Sequence, residues 1–139
     1  MIGSIGLFLV AILIVAGMLL VVIMLTRRKG SVLNVERYQS RWLGVESSLR
    51  RDNHATYHLA IINADKLVDQ ALREAGFSGS TMGERMKSAQ STWTNPNYIW
   101  SAHKLRNKVV HEPDIELSYE IAARTLMAFK QALKDLGAI

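Results

Sequence analysis

Cysteine is absent from the 139 residues, so disulfides, cysteine-based zinc sites and thiol nucleophiles are all excluded. Proline occurs only twice, and both positions punctuate helices. Asn95-Pro96 is a helix start, with Asn as cap and Pro at the first helical position, while Pro113 disfavours helical geometry at Glu112. No stretch alternates with strand period and none repeats, which predicts an all-α chain without tandem architecture. A nucleotide-binding loop is missing as well: Gly76-Phe77-Ser78-Gly79-Ser80-Thr81-Met82-Gly83 lacks the Gly-Lys-Ser/Thr ending and a preceding strand. A helix–helix connection is the better account of it.

Charge is missing altogether from Ile2 to Leu25, an apolar run of 24 residues. At 1.5 Å per residue such a helix crosses a hydrocarbon layer of roughly 30 Å. A cleaved signal peptide would carry its basic residues in front and a small-residue cleavage site behind, whereas Arg27, Arg28 and Lys29 follow the run. The sequence therefore predicts a transmembrane helix over residues 1–26, a basic juxtamembrane linker over 27–34 and a helical bundle over 35–139. Lipids would be contacted through residues 2–29. Basic residues are retained on the cytoplasmic side, so the N-terminus is expected outside and the domain in the cytoplasm. The formal charge of +5 is mostly this cluster; without it, 14 basic residues face 12 acidic ones. A domain so near balance has no extended basic groove, and any RNA contact must be local.

Within the bundle, Val35, Tyr38, Trp42, Val45 and Leu49 follow helical spacing and predict a first amphipathic helix. A second should run from about Asn53 to Ala75 and stop at Gly76, with Ala60, Ala64, Leu67, Val68 and Ala71 facing inward. Thr81-Met82-Gly83-Glu84 is a capping-box pattern opening a short third helix, and Asn95 opens the fourth. Ser118 caps a fifth, with Ile121, Leu126, Phe129, Leu133 and Leu136 spaced for burial and Gly137 at its end. The expectation is a four- to five-helix bundle behind one membrane helix.

The most chemically loaded stretch is Arg106-Asn107-Lys108-Val109-Val110-His111. A rigid guanidinium fork suits phosphate oxygens, and imidazole is the side chain that gives or takes a proton near neutral pH, so this segment can handle a phosphodiester without a metal. Tyr98, Ala102, Leu105 and Val109 form the stripe expected to face the core. His103, Asn107 and His111 form a row on the other side, with Arg106 nearby and Ile99, Trp100 and Val110 interleaved, a mixture that resembles an interface. With the helix ending about His111, its imidazole would be free to turn towards Arg106. A purely local reading competes, because Arg and His near a helix C-terminus complement the dipole and cap its last carbonyls.

The segment His103-Lys104-Leu105-Arg106-Asn107-Lys108-Val109-Val110-His111-Glu112-Pro113 resembles the signature of the HEPN superfamily, in which Arg, a polar neighbour and a His a few positions on form the motif. Ala60 to Asp69 is similar to the early long helix of that family, and Trp100 to Leu136 to its closing half, so the resemblance covers about residues 53–136. It implies a metal-independent endoribonuclease that needs no cofactor and acts as a homodimer, in which two motifs meet. Arg106, Asn107 and His111 would be catalytic, and Trp100, His103, Lys108 and Val110 would form the binding or dimer face. The family also contains members that only bind or dimerise. A non-catalytic membrane-anchored adapter, holding a protein partner on the Trp100–His111 face, is the alternative.

Weaker sites remain. His54 and His58 stand one helical turn apart, a spacing open to zinc, but no local third ligand completes them. The row His103, Asn107, His111 is a poor metal face because amides bind zinc weakly. Asp65 and Asp69 are also one turn apart and read as a solvated acidic ridge, or as groups supporting a neighbouring site.

Overall fold

The computed structural model describes residues 2–26 and 32–139; the basic flank Arg27, Arg28 and Lys29 lies outside the described residues. Six α-helices and one 3₁₀ turn occur in the order α1 (Ile2–Thr26), α2 (Val35–Ser48), α3 (Ala55–Glu74), α4 (Met82–Ser88), the 3₁₀ turn Gln90–Thr92, α5 (Pro96–His111) and α6 (Tyr119–Asp135), with no strand among the described residues. Within α1, Gly3–Leu25 is long and apolar enough to cross a membrane. Its described side chains are exposed throughout, so it is not a core helix.

The helix starts follow local chemistry. Asn34, Thr81, Asn95 and Ser118 each accept a backbone N–H from the first turn of the helix they precede, and Thr81 with Glu84 completes a reciprocal capping box. The start of α3 is different. Asn53 Oδ1 accepts from the Ala55 amide, so the helix begins two residues later than the composition suggests, and His54 makes no cap bond. Gly76 and Gly137 terminate α3 and α6 with positive φ, the conformation that a side chain opposes.

Helix α3 is the hub, packing against α2, α4, α5 and α6, with α5 also against α6. Its buried Ala60, Ala64 and Ala71 let the neighbours approach closely, while Ile61, Leu67, Val68 and Leu72 fill the space between them. Tyr38 and Trp42 from α2 and Leu126, Phe129 and Leu133 from α6 complete the core. Two residues expected inside are outside. Ile121 is 43% exposed and Val35 is 41% exposed, because each points away from the core in a first turn whose inward side is taken by Ala122 and by Tyr38 respectively. Trp93 is buried in their stead, its indole donating to the Met86 carbonyl.

The loop before α5 is fastened to the end of α6 by Asp135, which accepts from the Thr94 hydroxyl and the Thr94 amide. Burial pushes the Asp135 carboxyl up, but those two hydrogen bonds, together with one from Gln131, outweigh it and hold the group below the usual aspartate range. A depressed carboxylate contributes stability at neutral pH and loses it as the pH falls through the folded-state value. Thr94→Val should therefore lower the melting temperature at pH 7 and raise the pH of acid unfolding. Parent and variant should converge once Asp135 is protonated in both states, as followed by circular dichroism of the detergent-solubilised chain.

Candidate functional site

Helix α5 meets α3 through a cluster of polar side chains. Asp65 occupies a core position of α3, on one stripe with Ile61, Val68 and Leu72, and is 2% exposed. Its carboxylate receives His103 Nδ1 at 2.8 Å and stands 3.1 Å from Arg106 Nε. On the other side of the imidazole, Asn107 Nδ2 lies 3.4 Å from His103 Nε2. The loop closes through Arg106 Nη1, which donates to Asn107 Oδ1 at 2.9 Å. Four side chains thus form a ring: Asp65, His103, Asn107 and Arg106. A buried carboxylate is tolerable only when paired in this way.

The ring forms one wall of a cleft of about 440 Å³, completed by Lys66 and Asp69 of α3 and by Thr81, Met82 and Gly83 at the start of α4. Arg85 of α4 and Gly79 in the loop before it hold the opposite wall. Arg85, itself nearly buried, binds Asp69 at 2.8 Å and donates to the Gly79 carbonyl at 2.7 Å. Gly79 adopts φ 152°, and a Cβ there would sit 2.7 Å from the Arg85 amide nitrogen. Gly79→Ala is accordingly expected to cost about 1–3 kcal/mol. By contrast Gly44→Ala, in mid-helix with nothing within 4 Å, should stabilise by about 0.5–1 kcal/mol. Paired thermal melts check both signs.

His103, Arg106 and Asn107 therefore turn towards α3 rather than away from the core. Ile99, Ala102, His103 and Val109 are the buried residues of α5, while Tyr98 and Leu105, expected in the core stripe, are only half-buried. The buried arc includes His103, which with Arg106 meets Asp65 of α3. Asp65 is correspondingly no solvated ridge. Asp69 is partly buried between Arg85 and Arg73. Trp100 is half-buried, edge-on to His103 and close to Gly83, so it belongs to the α4–α5 packing. Lys108 is exposed, and Val110 is 47% exposed.

His111 is the residue that the structure does not bring in. Helix α5 continues through it, and five residues at about 100° each place it roughly 140° around the axis from Arg106. Its imidazole is exposed and makes no hydrogen bond or ion pair among the described residues. In this structure the expected turn of His111 towards Arg106 is not seen: the two side chains leave α5 on different sides.

The histidine pair near the start of α3 is separated in role. His58 Nε2 bonds the Ile115 carbonyl at 2.9 Å, and His54 packs its ring against Tyr57. Among the described residues no group of three or more His, Cys, Asp or Glu is placed to hold a metal ion. Arg85 and its tie to Asp69 escaped the sequence reading, but Asp65 had a signal. An aspartate in step with Ile61, Val68 and Leu72 is a buried charge and demands a cation. No family model, curated protein or solved structure matches this chain.

Proposed function

We propose that the chain is a membrane-anchored HEPN-like module that acts as a metal-independent endoribonuclease, its site shared between two copies. One observation carries this reading. Arg106, paired with the buried Asp65, and Asn107, which accepts from it, line an open cleft, while His111 of the same helix stands exposed and without a polar partner among the described residues. Phosphate binding needs a fixed guanidinium, and acid–base chemistry needs imidazoles that are not already engaged. A second copy supplies what one protomer lacks, since two α5 helices meeting around a two-fold axis would bring both motifs to one phosphodiester.

In that arrangement His111 of one copy takes the proton of a ribose 2′-hydroxyl, whose oxygen attacks the phosphorus. The bond to the 5′-oxygen breaks, and that oxygen takes a proton from His111 of the other copy. Arg106 offsets the charge building on the non-bridging oxygens, and Asn107 keeps the guanidinium oriented. No water is consumed, and the products are a 2′,3′-cyclic phosphate and a 5′-hydroxyl. Incubating the full chain in liposomes with single-stranded RNA and excess chelator should yield those ends. Different ends, or cleavage only with added metal, would contradict the scheme.

The membrane helix adds an address and a concentration effect. The Arg27-Arg28-Lys29 cluster after the apolar run supports a cytoplasmic domain, and confinement to two dimensions favours pairing of copies. Protease added to intact cells should spare the domain and digest it only after lysis; digestion in unbroken cells would reverse the assigned orientation.

The adapter reading is favoured by a different observation: Arg106 already has a carboxylate partner. A guanidinium so engaged serves as a strut between α3 and α5. Under that reading Arg106→Ala lowers the melting temperature, and RNA is never cut by the parent protein.

A further inference from the structure

We propose that His103 is a positioning residue: its imidazole fixes the Asn107 amide, and through it the Arg106 guanidinium, so the site is set only while His103 is neutral. This rests on the reading of α5 as the phosphodiester-handling helix but concerns a residue outside the Arg106–His111 motif. The argument is one of hydrogen-bond polarity around the ring. A nitrogen 2.8 Å from a buried carboxylate carries a proton, so Nδ1 of His103 is the donor to Asp65. The neutral ring then has its lone pair on Nε2, facing Asn107 Nδ2, an obligatory donor. The amide is thereby committed, with Oδ1 turned to accept from Arg106 Nη1.

That last bond carries unusual weight. Arg106 Nε lies within ion-pair range of Asp65, yet its N–H is not aligned on the carboxylate and finds no hydrogen-bond partner among the described residues. The well-formed hydrogen bond that fixes the rotation of the guanidinium is the one it donates to Asn107 Oδ1. Protonating His103 reverses the polarity at its origin. Nε2–H would then face Nδ2–H, donor against donor, and flipping the amide would only move the conflict to Arg106, which has no acceptor to offer. One proton thus releases the guanidinium from its set orientation. The charged groups around the ring are Asp65, Lys66 and Asp69 from α3 and Arg106 from α5 itself. The start of α4 contributes only Thr81, Met82 and Gly83, and Arg85 is held by Asp69.

The test does not require cleavage. In the full chain, reconstituted in phospholipid nanodiscs and labelled with ¹⁵N, the His103 ring should show a single tautomer with its proton on Nδ1. On acidification the His103 ring, the Asn107 side-chain amide and the Arg106 Nε–H signals should move with one common midpoint. A tautomer mixture, or Arg106 and Asn107 signals that ignore the His103 titration, would overturn the proposal. His103→Asn keeps a donor for Asp65, but its shorter amide stops short of the Nε2 position from which the imidazole accepts the Asn107 amide. In that variant the acid-linked movement of Arg106 should disappear while the fold, judged by the remaining amides, persists. With RNA as substrate the same variant should lose about 10²-fold in kcat with little change in KM, the signature of a misplaced group. Absence of cleavage by the parent sinks the proposed activity and leaves the spectroscopic outcome to decide the role of His103.

Discussion

Asp65→Ala is expected to remove about 3–5 kcal/mol of folding stability, the usual consequence of breaking a buried ion pair by deleting one partner. A domain of this size has a total of roughly 5–15 kcal/mol, so the variant should be close to unfolding at 37 °C. The cause is not the lost attraction alone. With Asp65 gone, Arg106 keeps a buried nitrogen and a full charge with nothing opposite, and His103 loses the acceptor for Nδ1. Asp65→Asn should cost less, since an amide oxygen still accepts from the imidazole. Removing both ends, in Asp65→Ala with Arg106→Ala, should recover part of the loss because no uncompensated charge remains. Urea denaturation of the detergent-solubilised chain measures all three. A loss under about 1 kcal/mol for Asp65→Ala would mean that water reaches the ring freely.

The second large effect is on chemistry. Arg106→Ala and His111→Ala should each reduce RNA cleavage by about 10²–10⁴-fold, yet differ in stability. His111 is exposed and has no polar partner among the described residues, so its removal should leave the melting temperature within a degree or so. Arg106→Ala should lower it, because Asp65 then loses its cation. Arg106→Lys should restore part of the stability and little of the activity, since a point charge reproduces neither the fork nor the bond to Asn107. Equal melting temperatures for both alanine variants would show that the ring does not hold α5 to α3.

Much of the fold was legible because its signals are local. Asn34, Thr81, Asn95 and Ser118 cap helices where short-range chemistry says they should, and the alanine-rich stripe of α3 is buried as its spacing demands. The rotation of α5 was not legible. Periodicity assigned the core stripe by apolarity, placing Tyr98 and Leu105 inside and His103 outside. In the structure His103 and Arg106 meet the buried carboxylate of Asp65 on α3, and Tyr98 and Leu105 are left half-buried. A tertiary ion pair has no sequence period, so only Asp65 itself, out of character on an apolar stripe, announced it. The candidate site shares this history. Arg106 and Asn107 stand together in the sequence, but the carboxylate that pairs with Arg106, Asp65, lies 41 positions earlier, and the separation of Arg106 and His111 around the helix follows only because α5 continues through His111.

The most direct test of a site shared between two copies is a dilution experiment in chelator. Parent chain and His111→Ala chain are co-reconstituted in liposomes at varying ratio, with total protein constant, and the rate of 2′,3′-cyclic phosphate formation is measured. If one phosphodiester needs His111 from both copies, mixed dimers are inactive. The rate then falls as the square of the parent fraction, to about a quarter at equal parts. A rate that falls in proportion, to about half, would place acid and base within one protomer, and no product from the undiluted parent would remove the nuclease altogether.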